Sequence, residues 1–239
     1  MGCVGYIILL MPSRIDPGLI PFAPDFNLEI DLWNHGLQMV AGVDEAGRGA
    51  LAGPVAAAVL IFPPDPSLAR QLEGVNDSKL LKPGAREKWA HKLREIALAW
   101  GVGFATNQEI DMTGIVPATR LAIYRALEQL MPGPEHILID YLELPESQIP
   151  YTPLVKGDRR SLSIASASIL AKTARDQLLR ELDTQYPGYG FAANKGYGTC
   201  AHLAAMKAFG PSPVHRFTFR LSNTGEPISS LPGSTYEHG

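Results

Sequence analysis

A chain of 239 residues with 46% hydrophobic and 19% charged content can build a substantial core, and global disorder is not expected. Cys3 and Cys200 lie far apart without CxxC spacing and the six histidines show no HExxH pairing, so disulfide frameworks, thiolate zinc sites and imidazole metal sites find no support and a reducing compartment fits. The net charge of −3 hides an asymmetry: residues 1–155 carry 11 basic and 18 acidic groups, whereas residues 156–220 carry 10 and 4, which suits either an ordinary solvated face or a surface for a polyanion.

Residues 1–38 read as an N-terminal extension, packed on the core or partly disordered. Its apolar run, residues 4–11, is too short to span a bilayer. No Lys or Arg precedes the run, as a secretory signal would require. A cytoplasmic protein without membrane association is therefore expected. Four prolines (Pro12, Pro17, Pro21, Pro24) then punctuate the segment.

Residues 38–44 read as a strand. Residues 54–62 (PVAAAVLIF) read as a second, stopped by Pro63-Pro64. Residues 65–82 read mostly as loop. Residues 83–98 predict a helix, with Pro83 in its first turn and Trp89, Leu93, Ile96 and Ala97 at helical spacing. A third strand is expected over 101–106, then a helix over 117–131 with Leu121, Tyr124, Leu127 and Met131 on one face. Residues 136–140 (HILID) and 153–156 read as short strands. A long helix is expected over 163–185, with Ala167, Ala171, Ala174, Leu178 and Leu182 in register, and a last helix over 199–209. The Gly-, Pro- and Ser-rich residues 223–239 read as a disordered tail. The order predicts an α/β domain with a mixed sheet over residues 39–222.

Asp44 and Glu45 end the first apolar run, Asp140 ends HILID, and Asp158 follows the next strand. Acids that terminate separate strands can converge at one sheet edge, where α/β folds place their sites. Four converging carboxylates would repel unless some were protonated or hard divalent cations neutralised them. Oxygen-only ligation favours Mg²⁺ or Mn²⁺, and a carboxylate bridging two such ions suits in-line phosphodiester displacement. The competing reading is that each acid merely caps a helix or starts a turn. That reading is weakest for the adjacent pair Asp44-Glu45.

Gly47-Arg48-Gly49 follows at once. GRGALA fits a dinucleotide fingerprint, but the next segment reads as a strand rather than the helix such a site needs. Bracketing glycines also let backbone N–H groups approach a sugar closely, within reach of a ribose 2′-OH. Lys195-Gly196-Tyr197-Gly198-Thr199 sets an aromatic in a glycine-rich loop, able to stack on a base or sugar, or simply to pack. Asn76-Asp77-Ser78-Lys79 offers polar donors to phosphates, or a helix-initiating turn.

Taken together, GVDEAGRG, NDSK, the acid of ILID, KGD followed by ASILAKTARD, and KGYGT resemble the ribonuclease HII (type 2 ribonuclease H) family in kind and order, over about residues 39–220. The resemblance implies a ribonuclease H-like fold: a central mixed sheet flanked by helices, with a small helical C-terminal part. It implies cleavage of the RNA strand of RNA–DNA hybrids and cleavage 5′ of single ribonucleotides embedded in duplex DNA, leaving 3′-hydroxyl and 5′-phosphate ends. Such activity serves removal of ribonucleotides and RNA primers. The resemblance assigns metal binding and catalysis to Asp44, Glu45, Asp140 and Asp158, with Mg²⁺ or Mn²⁺ in a two-metal site. It assigns 2′-OH sensing to Gly47, Arg48 and Gly49, sugar packing to Tyr197, and phosphate contacts to Lys79 and Lys172. A monomer is expected. Ala50 stands where the family usually has proline, and Tyr141 where it usually has glycine. The alternatives are a ribonuclease H-fold nuclease without junction preference, and a hybrid-binding protein that has lost its chemistry.

Overall fold

The computed structural model describes residues 20–75, 78, 81–221 and 225–234. Among these residues, five strands form one sheet in the order β3-β2-β1-β4-β5: β1 Val40–Ala46, β2 Val55–Ile61, β3 Ala99–Ala105, β4 His136–Asp140 and β5 Tyr151–Leu154. β4 runs parallel to both β1 and β5. The seven helices described are α1 Asn27–Asn34, α2 Pro83–Ile96, α3 Asn107–Thr113, α4 Ile115–Leu127, α5 Leu162–Gln185, α6 Phe191–Asn194 and α7 Cys200–Phe209.

Two compact units divide the chain. The first comprises residues 1–44, 59–101 and 130–169; the second comprises 45–58, 102–129 and 170–239. In the first unit, β4 is a short apolar run buried except at Asp140, as HILID predicts. Gly42 of β1 has a steric reason: a Cβ there would lie 2.1 Å from the Ser163 carbonyl carbon, so only glycine lets the start of α5 cross this closely. In the second unit, Ala52, Leu179 and Phe191 form one apolar cluster, and Leu51, Met206, Phe217, Leu221 and Ile228 form another.

Several expected boundaries move. β1 continues two residues past Asp44 to Ala46, so Glu45 lies within the strand rather than after it. β3 starts at Ala99 and β5 at Tyr151, both two residues earlier than expected. The helix expected over 117–131 runs Ile115–Leu127, with Pro117 in the first turn, where it needs no N–H acceptor. Helices α1, α3 and α6 were not expected. The tail also departs from expectation: Ile228 sits in a short 3₁₀ turn and is fully buried, because its side chain completes the cluster around Leu51 and Phe217.

The extension contributes α1 to the first unit. Glu29 on α1 is fully buried, and its Oε1 accepts from Ser161 Oγ (2.6 Å) and from the Ser163 N–H (3.0 Å) at the start of α5. The Leu162 N–H donates to the Asp25 carbonyl (2.9 Å). The extension thus caps the N-terminus of the long helix from outside, satisfying donors that the helix cannot satisfy itself.

Candidate active site

The first unit places three of the four acids. Parallel pairing sets Val43 opposite Ile139, so Asp44 and Asp140 are the next residues on neighbouring strands. Asp140 Oδ1 accepts from the Gly157 N–H at 2.7 Å, which ties the residue before Asp158 to the end of β4. Asp158 occupies a 3₁₀ turn, Gly157–Arg159, just ahead of α5. Asp44 and Asp158 are buried, at 6% and 7% exposure. Burial of an ionised carboxylate is tolerated only with compensating partners or a cation. Side-chain chemistry here is carboxylate oxygen throughout, which fits a hard divalent cation. Among the described residues, no three carboxylate, imidazole or thiol side chains already stand grouped as a metal cage.

The fourth acid begins the second unit. Glu45 Oε1 receives Arg48 Nη1 at 3.2 Å, so the arginine of the glycine-flanked turn pairs with the acid three residues before it. Beneath this turn lie two fully buried arginines. Arg216 donates from Nη2 to the Gly47 carbonyl (2.8 Å), from Nη1 to the Arg48 carbonyl (2.8 Å) and from Nε to the Gly53 carbonyl (3.0 Å). Arg175 donates from Nε to Pro54 (2.9 Å), from Nη2 to Ala52 (3.1 Å) and from Nη1 to Lys195 (2.9 Å), again to backbone carbonyls. Gly47 has φ +92°, and a Cβ on it would stand 1.9 Å from Arg175 Nε. Its glycine is therefore required by the guanidinium packed against it, besides any approach of a ligand.

The same arginine reaches the second glycine-rich loop. The Gly196 carbonyl accepts from the N–H groups of Leu51 (2.7 Å) and Ala52 (3.3 Å), which docks that loop on the first. Tyr197 stands next, 38% exposed, its ring centroid 5.7 Å from the Arg175 guanidinium carbon. An exposed aromatic steadied by a buried cation presents a face on which a sugar or base can stack. Its backbone is fixed from below by a histidine chain. The Ser212 N–H donates to His215 Nδ1 (2.8 Å), the two Nε2 atoms of His215 and His202 lie 3.0 Å apart, and His202 Nδ1 faces the Tyr197 carbonyl at 2.9 Å. Since a carbonyl only accepts, His202 carries its proton on Nδ1. Since His215 Nδ1 accepts, its proton is on Nε2 and bonds to His202. Burial holds both imidazoles neutral, His202 lowered and His215 down to about 4.

Of the remaining expected residues, Lys172 pairs with Asp176 one turn along α5. Lys79 lies outside the described residues. Ser78, read as a possible phosphate donor, is instead buried and hydrogen-bonded to Ser168 Oγ at 2.8 Å. Sequence reasoning missed Arg175, Arg216, His202 and His215. For Arg175 a signal existed: it lies four residues from both Ala171 and Leu179, on the face that is buried. Ala174 and Leu178, expected on the buried face, are only partly covered; the buried stripe runs Ala167, Ala171, Arg175, Leu179.

A five-stranded sheet with carboxylates near the end of β1 and at the end of β4, and a glycine-flanked arginine turn following β1, defines an α/β protein of the ribonuclease H-like class. The ribonuclease HII family profile matches residues 41–222. The ribonuclease HII of Chloroflexus aurantiacus is 49% identical over 200 residues, covering 82% of this chain and 93% of the relative. That of Thermus thermophilus is 50% identical over 192 residues, covering 80% and 91%. Among solved structures, the ribonuclease H2 of Pyrococcus horikoshii superposes with a TM-score of 0.61 at 29% identity, over 75% of this chain and 93% of that one. The ribonuclease HII in a PCNA complex from Archaeoglobus fulgidus gives 0.63 at 26%, over 74% and 92%. This chain belongs to the ribonuclease HII family, and it is a ribonuclease H endonuclease. No described helix is long and apolar enough to cross a membrane.

Proposed function

We propose that the chain cleaves the RNA strand of RNA–DNA hybrids and cuts on the 5′ side of single ribonucleotides in duplex DNA, leaving 3′-hydroxyl and 5′-phosphate ends. The parallel register that sets Asp44 beside Asp140 carries the reading, because it supplies adjacent carboxylates from two strands where a phosphodiester could be held. Asp44, Glu45, Asp140 and Asp158 would hold Mg²⁺ or Mn²⁺. When bound, such ions lower the pKa of a water and stabilise the charge on attacking and leaving oxygens. The residues of the chain do the rest. Backbone N–H groups of the Gly47–Gly49 turn meet the ribose 2′-OH, which DNA lacks. Tyr197 packs against the adjoining sugar, and Lys172 and Lys79 neutralise phosphates. The cellular setting that fits a reduced, exposed Cys200 is the cytoplasm, and the chain acts as a monomer.

The test is a duplex with one embedded ribonucleotide, incubated with Mg²⁺, Mn²⁺ or EDTA. Cutting with either metal and none with EDTA is expected. Binding without cutting under both metals would overturn the assignment of chemistry. Equal cutting of an all-DNA duplex would overturn the assignment of ribose sensing and favour a nuclease without junction preference.

A further inference from the structure

We infer that Arg216 is the positioning residue for ribose selectivity: its buried guanidinium sets the peptide planes of the Gly47–Gly49 turn so that their N–H groups face outward. The inference rests on the proposed role of that turn and adds what holds it in shape. Among the described residues, Arg175 and Arg216 are the largest fully buried side chains. A guanidinium presents its donors in a fixed planar fork. Arg216 spends two of them on consecutive carbonyls, those of Gly47 and Arg48, both at 2.8 Å. In a trans peptide the N–H of the next residue points opposite to the carbonyl. Two carbonyls drawn inward to Arg216 therefore turn the Arg48 and Gly49 N–H groups away from it.

The outer side of the turn is open. Gly49 is exposed, and nothing among the described residues lies within 4 Å of where its Cβ would stand. The Ala50 N–H is turned the other way, donating back to the Gly47 carbonyl at 3.2 Å. The outward donors are thus the two that follow the carbonyls Arg216 holds. Arg175 serves the neighbouring strip, Ala52 to Pro54, and the Lys195 carbonyl before Tyr197. Burial and the nearby Arg175 charge lower the Arg216 pKa to about 9, which leaves it cationic at neutral pH. A lysine at 216 would keep the charge but lose the fork, and could not hold both carbonyls in one plane.

The experiment compares binding of two duplexes, one with a single embedded ribonucleotide and one all DNA, in Ca²⁺, for the full chain and for Arg216→Lys. Wild type is expected to prefer the ribonucleotide duplex. Arg216→Lys is expected to lose about tenfold of that preference, the worth of one or two well-aimed hydrogen bonds, with all-DNA affinity within about twofold of wild type. A merely structural role would lower both affinities together and leave their ratio intact, which would overturn the inference. Wild type without preference would instead overturn the proposed function. Hydrogen exchange on wild type needs no variant: the Arg48 and Gly49 amides should exchange quickly when free and be protected by the ribonucleotide duplex. Protection of both already in the free protein would contradict the outward orientation.

Discussion

Tyr141 holds a left-handed backbone, φ 55°, directly after Asp140. An L-residue pays roughly 1–2 kcal/mol there, and glycine avoids that cost at some loss of chain entropy. The ring is mostly exposed, so little packing offsets the strain. Tyr141→Gly should therefore stabilise by up to about 1 kcal/mol, raising the melting temperature by about 2–4 °C. A loss of more than about 1 kcal/mol would mean the ring makes contacts that matter. Asp44→Asn keeps the shape of a buried side chain and removes its charge. It should abolish turnover while leaving the melting temperature within a few degrees, and a near-normal rate would refute the role given to Asp44. At this scale the sequence showed the acids, the glycine-flanked arginine and Tyr197 plainly, because polar groups at the ends of apolar runs stand out. It hid Arg175 and Arg216, because a buried guanidinium satisfied by three carbonyls looks on paper like a surface charge.

Elements were legible where apolar spacing was unbroken. β2 and β4 are continuous apolar runs, and both were found within a residue of their ends. α1 was hidden because its buried face consists of Glu29 and Trp33, so an acid interrupts the stripe and no side chain caps the start. α3 went unread although it carries a start signal: Thr106 and Glu109 form a capping box, each side chain bonding the other's backbone N–H. Glu109 also takes a bidentate pair from Arg125 of α4 at 2.7 and 2.9 Å, and hydrogen bonds from Arg125 hold its carboxyl down to about 2. The cap that Glu29 places on α5 can be tested directly. Glu29→Ala strands Ser161 Oγ and the Ser163 N–H in a dry place and should cost about 1–3 kcal/mol in urea unfolding. Glu29→Gln retains an accepting oxygen and should lose clearly less; equal losses would show that the cavity, not the cap, is what counts.

Over the whole molecule, pH acts through two buried histidines, one buried acid and one acid paired with an arginine. His215 is held down to about 4, first by burial and then by the neighbouring His202, with which it would compete for a second proton, and His202 is lowered by burial too. A depressed histidine binds its proton more readily in the unfolded chain. Its contribution is full above about pH 6.5 and is lost as pH falls toward 4. Glu109 acts in a lower window: its contribution is present above about 4.5 and lost toward 2. Glu29, raised by burial, has the opposite sign, since its contribution fades as pH rises. The clean measurement is thus the difference between wild type and His215→Gln in urea midpoint from pH 4.5 to 8. The two curves should converge at the acid end, where wild type alone gives up stability. Parallel curves would show that the pair does not titrate in this range.

The central claim is that carboxylates from β1, β4 and the turn before α5 direct hydrolysis at a ribonucleotide that the Gly47–Gly49 turn has recognised. End-group mapping of a duplex with one embedded ribonucleotide, cut in Mg²⁺ or Mn²⁺, tests it most directly. One cut on the 5′ side of the ribonucleotide is expected, leaving a 3′-hydroxyl and a 5′-phosphate. A cut on the 3′ side leaving a 2′,3′-cyclic phosphate would make the ribose hydroxyl the nucleophile and contradict it.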